Sequence, residues 1–213
     1  PSSLEGVDVA VEFTEPAAAE GNVRALLEAG VPVVCGTTGW DRGLEAARQL
    51  ARDRAVGLLW APNFALGVHV LFRLVDRAAA WLGGTGEFAP YLVEAHHDGK
   101  KDGPSGTAGR LAGKLVEHTL GKTRYGPPPA EGKIEPEQVP VSWIRAGAIP
   151  GEHRVGWDAP GETIEIVHRA RSRGIFAGGA VRAAEWLEGR RGPFGLDDML
   201  EEMLAARSGS GRA

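Results

Sequence analysis

Three times before residue 83, a short apolar run gives way to a polar loop and then to a helical pattern, and this alternation constrains the fold more than any other feature. The first run is Val7–Phe13, apolar at Val7, Val9, Val11 and Phe13, which assigns those side chains to one buried face of a strand. Thr14-Glu15-Pro16 ends it, and a helix is expected over 17–29, with Val23, Leu26 and Leu27 inward and Gly30 as the stop. Val31–Cys35 is the second strand, followed by Gly36-Thr37-Thr38-Gly39 and a helix over 41–52. Val56–Trp60 is the third, followed by Ala61-Pro62-Asn63-Phe64 and a helix over 67–82. Such a series implies a parallel sheet wound with right-handed crossovers, whose trailing loops gather at one edge. Open parallel sheets bind ligands there, where helix N-termini converge. Gly, Thr and Asn donate hydrogen bonds without charge and suit a nucleotide, although an ordinary strand-to-helix turn has the same composition. No Gly-x-Gly-x-x-Gly fingerprint occurs in the chain.

The densest chemistry lies in Glu94-Ala-His-His-Asp-Gly-Lys-Lys-Asp-Gly-Pro-Ser-Gly-Thr107. Ser105 and Thr107 are helix-start residues, and a helical face of Ala108, Leu111, Ala112, Leu115 and Val116 follows. The first turn of a helix presents unpaired N–H groups and a partial positive charge, and Gly106 lets a ligand approach the backbone. This is a cradle for a carboxylate or phosphate. Histidine exchanges protons near neutral pH, and a lysine beside it serves as proton donor or as fixed positive charge. Repulsion between Lys100 and Lys101 favours one neutral amine, whereas a bound dianion favours the charged form. A strand is expected over 88–95; where it continues into this stretch, His96 and His97 point to opposite faces, which weighs against both chelating one ion. No metal is expected. An acidic small molecule is.

The net charge of −4 argues against nucleic acid as the main partner. No apolar run reaches the length of a membrane span, and no secretory signal opens the chain. Cys35 is the single cysteine, which excludes an internal disulfide framework and fits a reducing cytoplasm. The chain begins at Pro1 and runs almost directly into a strand, as a fragment would.

Residues 121–140, with Pro127, Pro128 and Pro129 in succession, suggest an extended surface excursion. Strands are expected at 141–146, 152–157 and 163–169, and consecutive strands of this kind favour antiparallel pairing. The basic run Arg169–Arg173 closes the last of them, with Arg173 a candidate for gripping a dicarboxylate. Helices are expected over 180–187 and 196–206, and Ser208–Ala213 as a frayed tail.

The central stretch resembles the signature Glu-x-His-His-x-x-Lys-x-Asp-Ala-Pro-Ser-Gly-Thr-Ala of the dihydrodipicolinate reductase family. Phe13-Thr14-x-Pro16, Gly36-Thr-Thr-Gly39, Asn63-Phe64, Arg145-Ala-Gly147, Gly151-Glu-His153 and Ser172-Arg173 to Phe176-Ala177 extend the likeness along nearly the whole chain. The resemblance implies NADH- or NADPH-dependent reduction of 4-hydroxy-tetrahydrodipicolinate in diaminopimelate and lysine biosynthesis. It makes His96 the acid/base group and Lys100 the proton donor, with Lys101 in a variable position. It gives His97, Ser105, Gly106 and Thr107 to the substrate's carboxylates, and Gly36, Thr37, Thr38, Ala61, Pro62, Asn63 and Phe64 to the nicotinamide cofactor. It further implies a cytoplasmic homotetramer.

The implied fold class is α/β: a Rossmann-type parallel sheet in 1–66 and 174–213, plus an α+β substrate and tetramerisation domain with a mixed sheet in 67–173. Gly103 departs from the family's alanine and is expected to loosen the turn. The family's first βαβ unit, about 30 residues or more, has no counterpart, so an exposed edge beside Val7–Phe13 and weak dinucleotide binding are expected. Two other readings stay open. Cys35 at a strand end would be a nucleophile in an enzyme like semialdehyde dehydrogenase, although an apolar cysteine is more often packing. The second is a dicarboxylate-binding module without catalysis.

Overall fold

The computed structural model describes residues 4–209. Its elements run β1 (Ala10–Glu12), α1 (Pro16–Glu28), β2 (Val33–Cys35), α2 (Asp41–Arg54), β3 (Gly57–Trp60), α3 (Leu66–Leu82), β4 (Ala89–His96) and α4 (Gly106–His118). They continue with β5 (Arg124–Gly126), β6 (Gln138–Arg145), β7 (Glu152–Ala159), β8 (Glu162–Arg169), α5 (Gly174–Leu187), β9 (Gly192–Phe194) and α6 (Leu196–Gly209). The chain divides into two compact units, one of Pro1–Leu66 with Gly174–Ala213 and one of Gly67–Arg173.

In the first unit, four strands in the order β1-β2-β3-β9 are all parallel. Ala19, Val23 and Leu27 of α1 and Leu44, Ala47 and Ala51 of α2 pack on one side with Val33 and Leu58. Val34 and Leu59 point the other way, against Ala180, Ala183, Leu187 and Met199 of α5 and α6. Alternate strand residues therefore feed two helical layers, as a doubly covered parallel sheet requires.

The first strand departs from its expected facing. Val7, Val11 and Phe13 are exposed by 37%, 53% and 49%, while Glu12 is buried. Burial raises the Glu12 carboxyl, but hydrogen bonds from Thr14, Thr37, Cys35 and Asn22 outweigh it and hold the group below its ordinary value. Donors converging on one carboxylate have overridden an apolar alternation.

The second unit holds a mixed sheet in the order β5-β6-β4-β7-β8. Leu92, Val141, Val155 and Trp157 of this sheet pack against Leu71 and Val75 of α3 and Leu111 and Leu115 of α4. The expected antiparallel succession holds for β7 with β8 but not for β6 with β7. Instead β4 lies between those two strands, parallel to β6 and antiparallel to β7. The proline-rich excursion contains a strand of its own, β5, which pairs in parallel with β6. Gln138 secures that margin by donating to the carbonyls of Gly126 and Pro127. Of the expected tail, Ser208 and Gly209 belong to α6, and 210–213 lie outside the described residues. No helix among the described residues is long and apolar enough to cross a membrane.

Candidate active site

Strand β4 ends at His96, so Glu94 and His96, two residues apart, share one face. Register then supplies their neighbours. His96 pairs with Arg145 of β6, and Glu94 with His153 of β7. The Glu94 side chain is fully buried. Its Oε1 accepts from the Ser105 amide at 3.0 Å and from Arg145 Nη2 at 2.7 Å. Its Oε2 accepts from the Ser105 hydroxyl and lies 3.5 Å from His153 Nε2 and 3.6 Å from His96 Nδ1. Burial would raise this carboxyl; hydrogen bonds from His153, Ser105 and Arg145 hold it far below the usual carboxylate range.

His96 is mostly buried, its ring 5.2 Å from that of His153. Burial pushes its imidazole down to about 4, helped by the positive surroundings of His153, Lys100 and Arg145, with Glu94 acting in the opposite direction. The ring is therefore neutral at physiological pH. A glycine is required opposite it: Gly151 has φ +147, and a Cβ there would stand 3.2 Å from His96 Nε2.

The helix start matches its expected chemistry. Ser105 caps α4 by accepting from the Ala108 amide at 3.1 Å, so its hydroxyl is turned inward, between that amide and Glu94. Beyond it, the space where a Gly106 Cβ would stand is open. The first turn is thus open at Gly106, at the positive end of a 13-residue helix. Lys100 is three-quarters buried and pairs with Asp102 at 2.7 Å, while Lys101 is exposed. Lys100 thus has an acidic partner beside it. His97 opens the turn: its carbonyl accepts from the Lys100 amide at 3.2 Å, and its ring lies against Gly99. Gly103 does not loosen the loop as expected, because a Cβ there would meet the Trp143 indole at 2.7 Å. Its small size lets Trp143 close against the turn. Arg173 is exposed.

Glu94, His96 and His153 each offer one ligand atom within 4.8 Å of the others, as do Asp76, Glu117 and His118. Neither set is poised for a metal ion. Both Glu94 oxygens are already engaged, with a guanidinium on one. In the second set the Lys114 ammonium supplies the positive charge, 3.1 Å from Asp76 and 2.9 Å from Glu117.

In the first unit, the loops after β1, β2 and β3 all leave the carboxyl edge of the parallel sheet. Thr38 and Pro62 are exposed there, with Gly36 and Asn63 half-buried. Thr37, Ala61 and Phe64 are buried. The Thr37 hydroxyl donates to Glu12 at 2.7 Å and its carbonyl accepts from the indoles of Trp40 and Trp60, so it shapes the loop from within. Asn63 Oδ1 accepts from the Ala65 amide at 2.7 Å, setting the entry to α3. Uncharged donors at a parallel sheet edge fit a dinucleotide.

Comparison with known proteins turns on two family models. One described as dihydrodipicolinate reductase, C-terminus, matches residues 67–200, and one described as dihydrodipicolinate reductase, N-terminus, matches residues 1–64. The chain belongs to the dihydrodipicolinate reductase family. A 4-hydroxy-tetrahydrodipicolinate reductase of Chromobacterium violaceum is 38% identical over 205 residues, covering 93% of this chain and 75% of the relative. One from Alkalilimnicola ehrlichii is 40% identical over 208 residues, with the same coverage of each chain, 93% and 75%. Among solved structures, a dipicolinate-bound dihydrodipicolinate reductase from Paenisporosarcina shares the fold, with a TM-score of 0.72 at 24% identity, covering 88% of this chain and 71% of that one.

Nothing favours Cys35 as a nucleophile. Its thiol is buried, 3.1 Å from Glu12 Oε2, and burial followed by that hydrogen bond pushes it up to about 12. The thiolate, the reactive form, is scarce at neutral pH. Native protein is expected to resist thiol reagents and to be labelled only after denaturation. Rapid native labelling accompanied by inactivation would restore the nucleophile reading.

Proposed function

We propose that this enzyme reduces 4-hydroxy-tetrahydrodipicolinate to tetrahydrodipicolinate, with NADH or NADPH as the hydride source, in diaminopimelate and lysine biosynthesis. The observation that supports this most is the open first turn of α4 at Gly106, whose cap Ser105 is tied through Glu94 and Arg145 to the Asp102 that holds Lys100, with a neutral His96 beside Glu94. Hydride transfer to a cyclic imine-type dicarboxylate consumes one proton and releases water, so it needs an anion grip beside a proton donor. His97, Gly106 and Thr107 hold the carboxylates, and Ser105 sets the turn that presents them. Lys100, oriented by Asp102, gives the proton, and neutral His96 acts as the acid/base partner.

The first unit is the dinucleotide-binding domain and the second the substrate and assembly domain. Gly36, Thr38, Pro62 and Asn63 would contact the cofactor, with Thr37, Ala61 and Phe64 shaping the loops beneath. When bound, the nicotinamide supplies the hydride. The reading also carries the family expectation of a cytoplasmic homotetramer built through the second unit's sheet. Ile144, 53% exposed, supports that surface: it neighbours Trp143, which packs toward α3 and α4, and so faces the opposite side.

The test is oxidation of NADH or NADPH by the purified protein with 4-hydroxy-tetrahydrodipicolinate, competitively inhibited by pyridine-2,6-dicarboxylate. Dicarboxylate binding without oxidation of either nicotinamide, even when the coding sequence upstream of Pro1 is expressed with the chain, would overturn the reductase assignment in favour of a binding module.

A further inference from the structure

We propose that Glu94 is a positioning residue, whose one buried carboxylate fixes the first turn of α4 and the Arg145 guanidinium, and places a negative charge beside the ring of His96, in the arrangement that the dicarboxylate site requires. The inference rests on the reading above that this turn grips a dicarboxylate. Glu94 restrains the loop that carries Lys100 at two points on the helix side of that lysine. At the helix start, Ser105 is held through its amide at 3.0 Å and through its hydroxyl. Three residues earlier, Arg145 Nη2 bridges from Glu94 to the Asp102 carbonyl at 2.6 Å, and the Asp102 side chain in turn holds Lys100. The exposed segment at Asp98 and Gly99 has little rigidity of its own. The restraint comes from the strand beneath it.

The position requires a carboxylate. Donors reach Glu94 from α4 and β6, and His153 reaches it from β7, so acceptors are needed on both oxygens. An ionised carboxyl is acceptor-only with about four lone-pair sites. Glutamine keeps the shape but turns one acceptor into a donor, facing the Ser105 hydroxyl and His153. It also leaves the Arg145 charge without its buried partner.

His96 distinguishes positioning from simple cementing of the fold. Four charged or titratable groups face its ring: Glu94 on its own strand, His153 from β7, Arg145 from β6 and Lys100 from the following loop. Of these only Glu94 favours the protonated ring. Removing its charge at constant shape moves the His96 titration to lower pH, which a purely structural role would not do.

The experiment compares Glu94→Gln with the unaltered protein in three measurements: far-UV circular dichroism, NMR titration of the His96 ring, and calorimetric binding of pyridine-2,6-dicarboxylate. The expected result is a folded variant whose His96 titrates at lower pH and whose dicarboxylate affinity falls at least about tenfold, the scale of one charge-assisted hydrogen bond. A folded variant with unchanged His96 titration and affinity within about twofold, inside the range of an ordinary surface change, overturns the proposal. If Glu94→Gln alone fails to fold, the Glu94→Gln/Arg145→Gln pair removes both charges together, a change buried ion pairs tolerate better than loss of one partner. Glu94 has the larger influence of the two on His96, so a smaller downward move is expected there, and none overturns the proposal. Should the unaltered protein itself fail to bind pyridine-2,6-dicarboxylate, the dicarboxylate reading falls. The His96 titration then decides the role of Glu94 by itself.

Discussion

Replacing Lys100 with alanine is expected to lower turnover about 10²–10⁴-fold, the range of a lost general acid, whereas Lys101→Ala changes it by less than about threefold. The two lysines are adjacent in sequence and unlike in setting. Lys100 is three-quarters buried and tethered to Asp102 at 2.7 Å, and it is near enough to His96 to depress that imidazole. Lys101 is exposed, and its removal takes away only a solvated charge. Initial rates of nicotinamide oxidation at saturating substrate separate the two variants. Equal losses, or a larger loss at Lys101, would mean that the proton comes from elsewhere.

The second large effect concerns acid stability, and its direction follows from His96. The ring is held down to about 4 in the folded protein against 6.5 for the free side chain. Between those values the unfolded chain holds a proton that the folded chain does not, so stability falls as pH drops through 6.5 and levels off below about 4. A gap of that size corresponds to roughly 3 kcal/mol. His168, lowered by burial and by His153, contributes in the same direction. Glu94 acts in a lower window. Its carboxyl is depressed on folding, so its contribution is complete above its ordinary value of 4.5 and is lost as pH falls further. The thermal midpoint should accordingly decline from pH 7 into the acid range in two overlapping phases, one between 6.5 and about 4 and one below 4.5. Replacing His96 with glutamine should flatten most of the upper phase and leave the lower one. An undiminished slope between pH 6.5 and 4.5 in that variant would show that His96 is not the group responsible.

Much of the chain's organisation can be read from local pattern. The β1–α3 alternation and the capped start of α4 depend on periods of two and about 3.6 residues and on cap chemistry, which nearest neighbours decide. The long run from Glu94 to Thr107 was likewise specific enough to indicate the family. Long-range pairing is different. Arg145 stands 51 positions from Glu94, and only the placing of β4 between β6 and β7 brings that guanidinium and His153 to one carboxylate. No periodicity encodes strand order, because the free energy that selects it comes from contacts between remote segments.

Facing was misread where polar satisfaction outweighed apolar pattern. At β1, donors from Thr14, Asn22, Cys35 and Thr37 turn Glu12 inward and leave Val11 and Phe13 half-exposed. At the turn before α4, Gly103 reads as a flexible substitution until the Trp143 ring is seen to occupy the space of a side chain. Local pattern is enough to nominate His96 and Lys100, beside a capped helix start, as the residues for the proposed chemistry. What holds their surroundings in place follows only from the fold, since Ser105 and, through Arg145, the Asp102 carbonyl are tied to buried Glu94, and Arg145 and His153 reach it from strands distant in the chain.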